Sequence, residues 1–440
     1  MDDQSTPTYE QAASRSRDAA NRAVAVLGVL VVAAHIDLRQ GITVGLVTTC
    51  VLLPVWVRHA WAVVGYRWLS ATTVLATVCG LWLTRLTAQD HAVSTTITVK
   101  NSLLLLSVPV SVGFLIWARR HLSGQLVALL FGAAMLASVR TGGAFAENPW
   151  KFGFATPMTI VVLAGAWWVG SRLLQAAAAL ALGTVSAFND GRSAFAILFV
   201  VAVVLLWEAR PTGGRRRAAT IRAAGLAVGL AIGAYALIQA LILEGAFGEA
   251  TQARTAAQVD MSGSAIVGGR PEIGAFHALF VYRPMGFGSG SLLNSSDILV
   301  AKTGMAATGY QPNNGYVENY LFGGQIELHS VMGDLWAWTG IAGLLLAVCL
   351  ALLVGSGTAR TIGFSASAGV MLFLAFRFFW DFAFSPFISS MMGIILLLAL
   401  GLSDEWTGTT EQRVGVGSTI AQEPLVRYES AVVARERRQD

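Results

Sequence analysis

Three arginines lie where a planar cation could bind a phosphorylated substrate. Arg192 begins a long apolar run, and Arg270 and Arg283 lie beside glycine or proline. A guanidinium group presents a rigid fork of hydrogen-bond donors that matches phosphate. A simpler interpretation of Arg192 is that it reaches toward lipid phosphates or pairs with Asp190. The sequence leaves both interpretations open.

Arg377 and Asp381 are four residues apart inside another apolar run. This spacing places the two side chains one helical turn apart, so they can form an ion pair. An ionisable pair within a membrane helix commonly serves a function. A purely structural bridge that locks this helix to its neighbours explains the spacing equally well.

A glycine-rich stretch at residues 284–290 contains Gly286 and Gly288. Residues without a Cβ let the backbone come close to a ligand, although they also form ordinary turns. No strand-helix unit flanks the stretch, so it is not a nucleotide-binding loop. We treat Gly286 and Gly288, together with Arg283, Arg377 and Asp381, as candidate substrate-binding residues.

Two histidines, His277 and His329, fall in a long polar segment between apolar runs. His329 lies just before Asp334 and the next apolar run, which holds it near a membrane interface rather than at a free loop tip. It could take part in chemistry or tie the loop to the helix by hydrogen bonds. No His and Glu cluster has metal-ligand spacing, so we expect neither a metal nor another cofactor.

The composition is that of a membrane protein. Of 440 residues, 55% are hydrophobic and only 12% are charged, and the mean hydropathy is +0.61. The formal charge is +5, but the basic residues form short clusters between apolar runs, so we expect no nucleic-acid partner. The three cysteines fall inside apolar segments, which predicts neither a disulfide nor a thiolate metal site.

The apolar runs predict an all-α polytopic membrane protein of about twelve transmembrane helices. The predicted spans are residues 23–36, 41–57, 68–84, 103–118, 122–138, 157–171, 173–188, 193–209, 223–243, 334–355, 362–383 and 387–402.

Most of the 30 lysines and arginines fall on one side of these spans. By the positive-inside rule this side is cytoplasmic, together with an N-terminal tail of residues 1–22 and a disordered C-terminal tail of residues 403–440. Residues 244–333, between the ninth and tenth helices, are then a large extracytoplasmic loop. Its aromatic content indicates a small folded cap rather than a linker.

The chain resembles the O-antigen ligase and polymerase superfamily of integral-membrane glycosyltransferases in this layout and in three local patterns. The patterns are Arg-Ser before an apolar helix at 192–195, Gly269-Arg270 with the glycine block at 284–290, and His329-Ser330 followed by an acidic residue at 334 and the Gly-Ile-Ala-Gly at 340–343. The stretch between the glycine block and His329 is longer than this pattern expects, and it could form a lid or an acceptor platform.

The resemblance implies a fold of the GT-C type in a bacterial plasma membrane. It also implies transfer of a glycan from a polyprenyl diphosphate to a hydroxyl group of a glycan or glycolipid acceptor. Arg192 and Arg270 would stabilise the departing diphosphate without a metal, and His329 would accept the hydroxyl proton. Attack would invert the anomeric carbon, and Glu327 or Asp334 would orient the imidazole.

Two other classes of function remain open. The first is a transporter or flippase of envelope lipids or glycans, although such folds favour two similar halves. The second is a structural partner in envelope assembly, for which Arg192, Arg270 and His329 would be dispersed. Convergence of these three side chains on one cavity therefore separates the enzyme from the structural protein.

Overall fold

The computed structural model describes residues 9–209, 269–363 and 367–402, together with isolated positions between 229 and 259. This part of the chain is mostly α-helical, with a short antiparallel hairpin of β1 (Asp37–Arg39) and β2 (Ile42–Thr43). The α-helices are α1 Tyr9–Ala34, α2 Val44–Val51, α3 Leu53–Ala62, α4 Val64–Thr87, α5 Thr95–Ala118, α6 Gly124–Ala137, α7 Ala155–Val169, α8 Arg172–Phe188, α9 Arg192–Glu208, α10 Glu272–Tyr282, α11 Ser295–Ala306, α12 Val331–Thr339, α13 Ile341–Gly363, α14 Gly369–Phe384 and α15 Phe387–Gly401.

Several of the described helices are suited to a membrane. Four segments are long and apolar enough to cross it, namely α4, α5, the span Trp150–Val169 that contains α7, and Ile341–Ile362 of α13. The α2–α3 pair, bent by 82°, would add a fifth, broken span. The prediction of a helical protein with apolar spanning helices is confirmed to this extent, while the number twelve, the orientation and the large loop stay predictions.

Two predicted spans are interrupted in the structure. The run 41–57 crosses the break between α2 and α3, where Pro54 occupies the first turn of α3. Proline is favoured in a first turn and would break an uninterrupted helix, which explains the bend. The run 334–355 is divided at Gly340, which has a φ of +67° and a backbone N–H that donates to the Trp336 carbonyl at 2.7 Å.

Several predicted segments differ in extent or lie outside the described residues. Helix α1 begins at Tyr9, so most of the predicted N-terminal tail is helical. The predicted ninth helix at 223–243, the start of the predicted loop and the tail at 403–440 fall outside the described parts apart from isolated positions.

The described part of the predicted cap contains α10, α11 and a π-helical turn at Val317–Leu321. Helices α10 and α11 pack against each other at a pair of glycines, since a Cβ on Gly274 would lie 2.2 Å from the Gly304 carbonyl oxygen. Helix α14 contacts α7, α8, α9, α12, α13 and α15. It therefore brings distant parts of the chain together.

Candidate functional site

A cavity of about 920 Å³ is lined by residues of α1, α6, α7, α9, α14 and α15, together with the start of α10 and the segment before α12. Arg192, Arg270 and His329 all line it, and so do Arg377 and Asp381. The structure thus brings together five of the residues singled out from the sequence, from four separate elements.

Arg192 is placed by a tight turn between α8 and α9. The Gly191 N–H donates to the Ser186 carbonyl at 2.7 Å, and a Cβ on Gly191 would lie 2.9 Å from that oxygen. Asp190, at a φ of +56°, lies 3.4 Å from the Lys151 ammonium group through its Oδ2. The half-buried Arg192 then begins α9 at the cavity wall.

Arg270 enters the cavity just before α10. Its guanidinium carbon lies 5.9 Å from the centre of the Trp380 ring on α14, within the range of a cation–π contact. This contact holds the Arg270 cation against α14, the helix that also carries Arg377 and Asp381. The Arg377 Nε donates to the Asp381 Oδ2 at 3.2 Å, so the predicted one-turn ion pair is present.

His329 is held rigidly at the end of the polar segment. It is 8% exposed and has a φ of +52°, a backbone conformation that costs a non-glycine residue about 1–3 kcal/mol and often marks functional sites. Ser330, which follows it, caps α12 by accepting the Gly333 N–H at 3.1 Å and donates its hydroxyl to the Phe382 carbonyl at 2.8 Å. Burial lowers the pKa of His329, which favours the neutral imidazole.

Asp334 supports His329 through the main chain rather than through the imidazole. Its carboxylate is fully buried, with Oδ1 accepting the Leu328 N–H at 2.6 Å and Oδ2 the Phe387 N–H at 2.8 Å. The other expected partner, Glu327, approaches the His329 Nδ1 with its main-chain oxygen at 3.3 Å, while its side chain accepts from Gln325.

The cavity carries an excess of positive charge. Its ionised lining comprises the cations Arg140, Lys151, Arg192, Arg270 and Arg377 and the carboxylates Asp190, Glu272 and Asp381. Such a surface favours an anionic ligand, and partial burial strengthens the attraction relative to open water.

Arg283, Gly286 and Gly288 lie away from this cavity. Arg283 donates to the Asp90 Oδ2 at 2.8 Å. A Cβ on Gly286 would lie 2.5 Å from the Trp336 carbonyl oxygen, and one on Gly288 would lie 2.5 Å from the Thr84 N. The glycines therefore let the chain pack between helices, and the structure gives them no contact with the cavity.

Three cavity residues were missed in the sequence. Glu272 is 5% exposed and accepts the Tyr316 hydroxyl at 2.5 Å, while Tyr316 packs against Tyr320 with ring centres 5.0 Å apart. Tyr320 in turn stacks on His329. The available signals were the position of Glu272 two residues after Arg270 and the i,i+4 spacing of the tyrosines.

In the part of the chain that the structure describes, no three His, Cys, Asp or Glu side chains are placed to hold one metal ion. No protein-family model, curated protein or solved structure compared with this chain matches it.

Proposed function

We propose that this protein transfers a glycan from a polyprenyl diphosphate to an acceptor hydroxyl at the outer face of a bacterial plasma membrane, as an O-antigen ligase or a polysaccharide polymerase does. The observation that carries the proposal is that Arg192, Arg270 and His329, far apart in sequence, line one cavity. A structural partner in envelope assembly offers no reason for this convergence.

The positive charge of the cavity supports the leaving-group half of the reaction. When the anomeric carbon–oxygen bond breaks, its electron pair passes to the diphosphate, which becomes more negative. Arg192 and Arg270 can each direct two parallel N–H donors at phosphate oxygens. Donors fixed in this way act most strongly where charge develops in the transition state.

The hydrogen bonding of His329 supports the acceptor half. Its Nδ1 lies 3.3 Å from the Glu327 carbonyl oxygen, which only accepts, so Nδ1 carries the hydrogen and Nε2 keeps its lone pair. Nε2 accepts the proton of the acceptor hydroxyl as the hydroxyl oxygen bonds to the anomeric carbon from the side opposite the diphosphate. Direct displacement of this kind inverts the anomeric configuration.

The test separates binding from chemistry. Purified wild-type, His329→Ala and His277→Ala proteins are incubated with a polyprenyl-diphosphate-linked glycan and an acceptor glycolipid. We expect His329→Ala to bind donor but to lose about 10²–10⁴-fold in transfer rate, the span typical of removing a general base. His277 is exposed on α10 and serves as the matched control.

Two results would contradict the proposal. One is a normal transfer rate in His329→Ala. The other is a wild-type protein that transfers no glycan but moves the lipid-linked glycan across vesicle membranes, which would identify a flippase.

A further inference from the structure

Glu272 is a buried carboxylate to which the proposed reaction gives no role. Its Oε1 accepts the Tyr316 hydroxyl, whereas its Oε2 is buried with no hydrogen-bond partner in the described part of the chain. Glu272 lies in the first turn of α10, where a carboxylate interacts favourably with the helix dipole. An exposed carboxylate can make this interaction equally well. That role does not explain its burial, because a buried charge is costly unless it is paired.

A continuous set of contacts connects Glu272 to His329. Tyr316 donates to the carboxylate, Tyr320 packs on Tyr316, and the His329 imidazole stacks on Tyr320 with ring centres 4.9 Å apart. Glu272 and His329 also line the same cavity. The carboxylate and the imidazole therefore belong to one compact cluster.

We propose that Glu272 is a positioning residue that stabilises the His329 imidazolium formed when the acceptor hydroxyl loses its proton. The inference rests on the proposed function and deepens it. The proton moves from the hydroxyl oxygen to Nε2, and the positive charge that appears on the ring is balanced by the fixed negative charge of Glu272. The cost of burying the carboxylate is then offset at the moment of reaction.

The charges around His329 agree in sign with this role. Burial lowers the pKa of His329, and the negative charge of Glu272 is the largest influence that opposes it, followed by Glu327. Arg270 acts in the same direction as burial. One short segment therefore contributes to both parts of the reaction. Arg270 binds the departing diphosphate, and Glu272, two residues later, stabilises the imidazolium of the base.

Tyr316 holds the Glu272 carboxylate in place through a hydrogen bond. Its hydroxyl donates to the Oε1 atom of Glu272. Burial, and then the charge of Glu272, raise the pKa of Tyr316, so this phenol stays protonated and continues to donate.

The test measures the ionisation of His329 directly. Full-length protein labelled with ¹⁵N-histidine is titrated by NMR in detergent micelles, and the His329 signal is assigned by its loss in His329→Ala. We expect the His329 midpoint to fall in Glu272→Gln, because a neutral amide no longer stabilises the imidazolium. Glu318→Gln, whose carboxylate pairs with Lys302, is the matched control and should leave the midpoint unchanged.

The transfer rate gives a second readout. Its acid limb should move to lower pH in Glu272→Gln. The plateau should also fall, by less than the roughly 10²–10⁴-fold loss expected without the base. If Glu272→Gln does not fold, Glu272→Asp provides the test. The shorter side chain moves the negative charge away from its position in Glu272 by one methylene, which should lower the His329 midpoint by a smaller amount.

An unchanged His329 midpoint in the folded Glu272 variant would overturn the inference. The NMR titration needs no glycan transfer. A protein without transferase activity would therefore refute the proposed function while leaving the coupling between Glu272 and His329 open to measurement.

Discussion

The imidazole of His329 lies nearly parallel to the phenol ring of Tyr320, with ring centres 4.9 Å apart and planes 18° apart. Together with the contact between Nδ1 and the Glu327 carbonyl, this stack fixes the plane and the direction of the imidazole. A general base is effective only when its lone pair points at the proton to be removed. If His329 is the base of the proposed reaction, we expect the stack to affect turnover more than the fold.

Replacing Tyr320 tests the stack. Aromatic pairs contribute about 0.5–1.5 kcal/mol beyond simple burial, which corresponds to a loss of roughly 2- to 10-fold if the interaction is lost in the transition state. We expect Tyr320→Ala to lower the transfer rate by this amount and Tyr320→Phe, which keeps the ring, to retain it. Steady-state kinetics of both variants provide the measurement, and equal rates for Ala and Phe would rule out a role for the ring.

Arg192 and Arg270 should bind the diphosphate through the fork geometry of the guanidinium group as well as through its charge. An ammonium group keeps the charge but loses the second parallel hydrogen bond to phosphate. We expect Arg192→Lys and Arg270→Lys each to reduce transfer by about 10- to 100-fold, the equivalent of one charge-assisted hydrogen bond. Arg283→Lys is the matched control, since that side chain lies away from the cavity and pairs with Asp90. Wild-type turnover in both test variants would exclude a diphosphate clamp.

The sequence singled out five residues that line the cavity, but not the neighbours that hold them. Arg192 could be singled out because the positive-inside rule disfavours an arginine at the outer end of a predicted membrane helix. Glu272 was not, because a single carboxylate in a polar segment gives no sign that it will be buried. Gly286 and Gly288 indicated a close approach of the backbone, but only the structure identifies the approaching group as another part of the chain.

The sequence likewise predicted the positions of most described helices but not the bend between α2 and α3. Apolar runs predicted most described helices within several residues, since hydrophobic length is a local property. The bend between α2 and α3 was missed although Pro54 was visible, because a proline can either kink a helix or begin one.

For the proposed transfer reaction, we expect His329 to set the pH dependence of the wild-type protein. The protonated ring cannot accept the hydroxyl proton, so the rate should fall as the pH drops through the pKa of His329. Burial lowers that pKa from its usual value near 6.5, which places the fall on the acid side of an ordinary imidazole. A rate–pH profile measured at saturating donor provides the check, and a rate that rises on acidification would assign the base to another group.

Asp334 should be a major determinant of stability. Replacement by alanine leaves the buried N–H groups of Leu328 and Phe387 without their partner, at about 1–3 kcal/mol for each. We expect Asp334→Ala to lower the thermal unfolding midpoint by several degrees or more in detergent. Asp18→Ala, on an exposed position of α1, should leave it unchanged. Equal midpoints for the two variants would show that the carboxylate does not hold the segment before His329.

The orientation of the chain is the last prediction, and the proposed location of the reaction depends on it. The distribution of arginine predicts that the segment at 244–333 is extracytoplasmic and that the basic segment at 212–218, outside the described residues, is cytoplasmic. Cysteines are introduced singly into a protein from which Cys50, Cys79 and Cys349 have been removed. Asn313→Cys, at an exposed position, should react with a membrane-impermeant maleimide in intact spheroplasts, whereas Gly214→Cys should react only after permeabilisation. Reaction of Gly214→Cys in intact spheroplasts would place the segment at 212–218 outside the cell and reverse the predicted orientation. The segment at 244–333 would then be cytoplasmic, where the proposed transfer does not take place.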